Sequence, residues 1–137
     1  MTAKEYLGQA YRLDQRINSK LEQVLSLRGL TTKATATMSD MPGGGSLNVY
    51  KMQDIIAKIV DLEDDINRDI DALVDLKREM VSVIKAVADP ECQTLLELRF
   101  LCFKTWEQIA VEMGYSFQHI YRLRDKAIKQ ITPPSKT

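Results

Sequence analysis

Residues 106–123 read Trp106-Glu-Gln-Ile-Ala-Val-Glu-Met-Gly-Tyr-Ser-Phe-Gln-His-Ile-Tyr-Arg-Leu123, and this stretch decides the fold. Thr105 just before it and Gln108 within it form a capping box, so a helix starts at Thr105 and runs through Met113. Gly114 can take the positive φ that a turn of three to four residues demands, and Ser116 then opens a second helix. Ala110 is small where the two helices must cross, Ile120 fills the angle between them, and Trp106, Ile109, Met113 and Leu123 complete the packing. A small residue, a glycine and a β-branched residue at these offsets are the pattern of a helix-turn-helix. The second helix continues to Ile131, where Pro133 and Pro134 prevent extension. Trp106 and Phe103 read as core residues rather than as stacking platforms.

The helix after Ser116 turns Phe117, Gln118, His119, Tyr121, Arg122, Arg124 and Asp125 outward. Gln118 can pair with adenine and Arg122 with guanine or phosphate, while the unpaired N–H groups at the helix start suit a phosphate. Lys126 and Lys129, farther along, are spaced to hold phosphate. The 19 basic and 19 acidic residues cancel overall but not locally. Residues 1–47 carry 6 basic and 4 acidic groups, 48–89 carry 6 and 10, and 90–137 carry 7 and 5. From Gly114 onward, five Lys/Arg stand against the single acid Asp125. Turn geometry and basic charge coincide on one segment, which favours double-stranded DNA as the partner over an ordinary polar helix face.

Upstream, Asp89 caps and Pro90 starts a further helix over 91–103, expected to point Leu95, Leu98 and Cys102 inward. Residues 48–88 repeat apolar positions in threes and fours, from Met52 through Ile55, Ile59, Leu62, Ile66, Ile70, Leu73, Leu76, Met80 and Val83 to Val87. That is a helix of about 40 residues, roughly 60 Å long. Asp69 falls where heptad spacing wants an apolar group, and Ile70 is expected to take over its contact. Its acids, Asp61, Glu63, Asp64, Asp65, Asp69, Asp71 and Asp75, lack a glycine-turned loop and read as a solvated surface rather than a metal site. Residues 2–28 form a shorter amphipathic helix, opened by Thr2 and Glu5 as a capping box and carrying Tyr6, Ala10, Leu13, Ile17, Leu21, Val24 and Leu27 on one face. Gly29 is positioned to end it, and 29–47, rich in Thr, Ser, Ala and Gly, is expected to be a flexible connector. So short a first helix cannot cover the stripe of the second. Self-association into a dimer or tetramer is therefore expected through Ile55, Ile59, Leu62, Ile66, Leu73, Leu76 and Met80.

Only 6 glycines and 4 prolines occur, three of the glycines together at 43–45, so most of the chain lacks the punctuation of β-hairpins. The expected class is all-α. A long, coiled-coil-like helical hairpin occupies 1–88, a three-helix unit 89–132 and a tail 133–137. No apolar run reaches the about 18 residues of a membrane helix, and no secretory leader is read, so a cytoplasmic protein with no membrane partner is expected. Cys92 and Cys102, about 15 Å apart on one helix, cannot bond to each other. With His119 the single histidine and no Cys-x-x-Cys, neither a metal site nor a cofactor is expected. No nucleophile, histidine and acid arrangement suggests catalytic residues, so the chain reads as a non-enzyme.

The run 95–123 resembles region four of bacterial sigma factors, the part that reads the −35 promoter element. The whole chain is similar to a family of small phage and prophage proteins of Gram-positive bacteria, related to late-gene and autolysin-type transcriptional regulators. The likeness rests on the loop Ser39-Asp40-Met41-Pro42-Gly43-Gly44, on Asp75-Leu76-Lys77-Arg78-Glu79 and on the C-terminal motif. It implies that Ser116, Phe117, Gln118, His119, Tyr121 and Arg122 read DNA and that the chain regulates transcription in the bacterial host cell as an oligomer. RNA polymerase is a further partner it allows. The other sigma regions are missing, so promoter melting by this chain alone is not implied. Two alternatives stay open: a DNA-packaging subunit like the small terminase, and a sigma-like module that docks on RNA polymerase or a host protein.

Overall fold

The structure, a computed structural model, describes residues 1–40 and 45–134, with side chains outside 34–48. It is all-α, with no strand among the described residues. The order is α1 (Ala3–Asp40), α2 (Gly45–Lys85), α3 (Pro90–Leu96) running into a π turn at Glu97–Leu101, α4 (Trp106–Met113) and α5 (Phe117–Lys129). No helix among the described residues is long and apolar enough to cross a membrane.

The cap that opens α1 is the one its sequence requires. The Glu5 N–H donates to Thr2 Oγ1 at 3.2 Å, and the Thr2 N–H donates to a Glu5 carboxylate oxygen at 3.3 Å. The expected stop at Gly29 is overturned, because α1 continues to Asp40. Thr31 and Thr32 turn their hydroxyls back onto the Arg28 carbonyl at 2.6 and 3.2 Å, so their side chains bond within the helix despite their weak helix propensity. The expected connector over 29–47 is thus helical through Asp40 and again from Gly45, and 41–44 lie outside the described residues.

The chain forms two compact units, and they divide within the hairpin rather than at residue 88. The first comprises Met1–Asp14 and Ala72–Thr137. Its core joins Tyr6, Leu7 and Ala10 of α1 to Met80 and Ile84 of α2, to Val87 in the turn after it, to Cys92, Leu95 and Leu96 of α3, to Ile109 and Ala110 of α4, and to Ile120, Leu123 and Ala127 of α5 with Ile131. Each large side chain of this set contributes about 1.5–3 kcal/mol by leaving water. The Tyr6 hydroxyl donates to Glu79 at 2.9 Å, and burial together with that carboxylate pushes the phenol far above its usual range. Leu95 is buried and Leu98 partly so, as expected, but Cys102 is exposed. The π turn widens the helix just before Cys102 and rotates that residue off the core line. Both thiols are free. Phe103 follows at φ 60, its ring edge-on to Tyr11 at 5.6 Å and under the Lys77 ammonium at 4.6 Å.

The second unit, Gln15–Asp71, is a pair of antiparallel helical segments that buries Ile17 and Val24 of α1 against Ile59 and Ile66 of α2. Among its described residues, Lys20 pairs with Asp69 at 2.6 Å and Arg28 with Glu63 at 2.6 Å from one segment to the other, and Arg68 pairs with Asp65 within α2. Asp69 therefore keeps its place in the seam, neutralised by Lys20, while Ile70 is exposed instead of taking over the contact. The residues expected to bind a second copy are largely used within the chain. Ile59 and Ile66 are buried in this unit, Met80 is buried in the first, Leu73 and Leu76 pack on the first core, and Ile55 and Leu62 are half-buried. The premise of an uncovered stripe fails because α1, at 38 residues, nearly matches the 41 of α2.

Candidate nucleic-acid interface

Each turn of the segment from Thr105 to α5 is closed by a local hydrogen bond that its sequence supplies. Thr105 Oγ1 accepts from the Gln108 N–H at 3.2 Å, and the Gln108 side-chain oxygen accepts from the Thr105 N–H at 3.0 Å. Gly114 leaves α4 at φ 71, with its own N–H reaching the Val111 carbonyl at 3.2 Å and that of Tyr115 reaching the Ala110 carbonyl at 3.0 Å. These paired bonds close a helix end through a left-handed residue. Ser116 then caps α5, its Oγ accepting from the His119 N–H at 3.3 Å.

The helix pair packs as its spacing requires. Ile109, Ala110, Ile120 and Leu123 are buried, and Trp106 and Met113 pack on the core while half-buried. Ser116, Phe117, Gln118, His119, Tyr121 and Arg122 are exposed on the first two turns of α5, and Lys129 is exposed near its end. The His119 ring rests 4.2 Å from that of Tyr115, whose hydroxyl donates to Glu91 at 2.6 Å.

Two of the expected phosphate-binding groups are already engaged. Lys126 is paired with Asp89 at 2.9 Å, so its ammonium serves the cap of α3. Arg124 is bridged to Asp125 at 3.0 Å and lies 4.9 Å over the Tyr121 ring and 5.8 Å from that of Trp106. On its other flank Trp106 receives the Arg99 guanidinium at 4.8 Å. Sequence reasoning missed Arg99 in this cluster and Asp89 as the partner of Lys126, since a pair 37 positions apart leaves no local signal. Among the described residues no group of three or more His, Cys, Asp and Glu is gathered as a metal would need.

Hydrogen bonding from Lys126 and from the Glu91 N–H holds the Asp89 carboxyl below its ordinary range, and Asp89 in turn raises Lys126. A lowered acid stabilises the fold above its unfolded value and loses that contribution as pH falls through its folded one. Asp89→Asn keeps a capping oxygen but not the charge. It is expected to melt below the wild type at neutral pH, with the gap narrowing as pH falls through the lowered range of the folded Asp89 carboxyl and closing where both side chains are neutral. Thermal melts across that range check this, and a gap independent of pH would show that the Lys126 pair does not stabilise the fold.

No curated protein and no solved structure matches the chain. A family model does match, over residues 31–132, which takes in α2 to α5 and most of the chain. The chain thus belongs to the family described as "Protein of unknown function (DUF1492)".

Proposed function

We propose that this protein is a non-enzymatic, sequence-specific DNA-binding regulator of transcription, of phage or prophage type, which lays α5 into the major groove as the reading helix of a helix-turn-helix. One observation carries the reading. The left-handed turn at Gly114 sets α5 on α4 so that Gln118, His119, Tyr121 and Arg122 share the exposed start of a helix whose other face is core. Side chains there have base-edge chemistry, and the capped N-terminus suits a backbone phosphate. Acting as an oligomer, two such modules would read paired half-sites with higher avidity than one.

The test begins with selection of a binding site from random duplex DNA, followed by titrations at several salt concentrations. Gln118→Ala and Arg122→Ala should each weaken specific binding by about 1–3 kcal/mol and relax preference at one or two base pairs. Lys129→Ala should weaken binding to all duplexes alike and lower the salt slope by about one unit. Lys126→Ala should do less, because its ammonium is held by Asp89. A second reading, docking of the same module on RNA polymerase or a host protein, is favoured by the apolar surface of Val111, 82% exposed, and of Phe117 and Tyr121. Failure to select a duplex, or indifference of binding to the α5 substitutions, would replace the first reading with the second.

A further inference from the structure

One side chain on the outward face of α5 has no part in hydrogen bonding or charge. Phe117 is the first residue of α5, directly after the cap at Ser116, and is 48% exposed. It lies outside the buried core of the first unit. A turn of about 100° per residue puts Phe117, Tyr121, Gln118 and Arg122 within one arc of about 140°, clear of the arc of about 60° through which Ile120, Leu123 and Ala127 enter the core. The Phe117 ring is stacked on that of Tyr121, one turn later, with centroids 6.4 Å apart and planes 26° from parallel. Tyr121 in turn carries the Arg124 guanidinium at 4.9 Å from its ring centre. The phenyl ring is thus braced on one side and left in water on the arc that also bears Gln118 and Arg122.

When α5 enters a major groove, water leaves this ring, and what replaces the water decides whether the contact helps. Adenine, guanine and cytosine show hydrogen-bond donors and acceptors on that edge, and a phenyl ring set against them covers polar atoms without satisfying them. Thymine alone adds an apolar group there, its C5 methyl. We infer that Phe117 determines specificity by packing its ring on the methyl group of a thymine, beside the hydrogen bonds made by Gln118 and Arg122. The inference rests on the reading of DNA by α5 and adds to it a base and an atom. Stacking on Tyr121 limits the rotamer freedom that the ring loses on contact, so more of the gain from burial is kept as affinity. Burial of one methyl group corresponds to about a four-fold gain in affinity.

The test takes the duplex selected by the full chain and remakes it with uracil in place of thymine, one position at a time. Uracil removes the methyl group and leaves every hydrogen-bonding group of the base in place. The wild type should bind about four-fold more weakly when the contacted thymine is replaced, and no differently when a thymine outside the contact is replaced. Phe117→Ala should bind the thymine and uracil duplexes alike. Gln118→Ala, weaker overall, should keep the four-fold distinction, and Phe117→Leu, with an apolar side chain still in place, should keep part of it. Titrations at low salt hold binding in a measurable range, because phosphate contacts are strongest there. Urea melts alongside show that each variant is folded. A wild type indifferent to uracil at every position, or a distinction that survives Phe117→Ala, would overturn the inference and leave reading by Gln118 and Arg122 standing. Failure to select a duplex, or indifference of binding to Gln118→Ala and Arg122→Ala, would remove the reading by α5 and the inference with it.

Discussion

Replacing Ile120 by Ala should lower the stability of the fold by about 2–5 kcal/mol, read as a drop in the urea midpoint at unchanged slope. Ile120 is fully buried on α5, in a core that draws side chains from every helix of the first unit. Removing its outer carbons leaves a void that helices pinned by caps at Asp89, Thr105 and Ser116 cannot easily close. The cost therefore includes a cavity as well as lost transfer from water. If α5 reads DNA, affinity should fall with stability, and equally for all sequences. Phe117→Ala, three residues earlier and 48% exposed, is the control and should stay within about 0.5 kcal/mol of the wild type. Equal losses at the two positions would mean that α5 is not seated on the core by Ile120.

Gly114→Val should cost roughly 2 kcal/mol, from the backbone alone. Gly114 holds φ 71, where a side chain with a branched β-carbon is strained, yet no atom lies within 4 Å of where a Cβ would stand. The loss thus comes from conformation, with no collision to relieve. Gly114→Asn should cost clearly less, because asparagine visits the left-handed region more readily. Urea melts of both variants check the order. Equal losses would point to a packing defect instead, and no loss from the valine would mean that the turn adopts another conformation in solution.

Much of this arrangement was legible locally. The caps at Thr2, Asp89, Thr105 and Ser116 and the turn at Gly114 all appear where the spacing of their residues sets them. The elements that departed from expectation each had a competing interaction. Gly29 and the threonines after it suggested a stop, but α1 runs on to Asp40, with the threonine hydroxyls bonded inside it to the Arg28 carbonyl. Leu98 and Cys102 looked alike on an α-helical wheel until a π turn changed the phase between them. Among the candidate DNA-contacting groups, exposure of Gln118, His119, Tyr121 and Arg122 followed from period and charge. The engagement of Lys126 by Asp89 and of Arg124 by Asp125, Tyr121 and Trp106 did not.

By itself, the sequence of this protein determined the helical class, the caps, the left-handed turn and the exposed start of α5. These depend on hydrogen bonds and side-chain periods that close within about four residues, where neighbours in sequence are neighbours in space. Tertiary structure alone decided which apolar residues of α2 are buried against α1, as Ile59 and Ile66 are, and which are left outside, as Ile70 is. It also decided that Asp69 stays in the seam, and which cations remain exposed on α5. Those outcomes rest on partners such as Lys20 for Asp69, 49 positions away, and Asp89 for Lys126, 37 away. A charge settles beside whichever opposite charge the packing brings near, and an apolar row is buried by whichever helix is long enough to reach it.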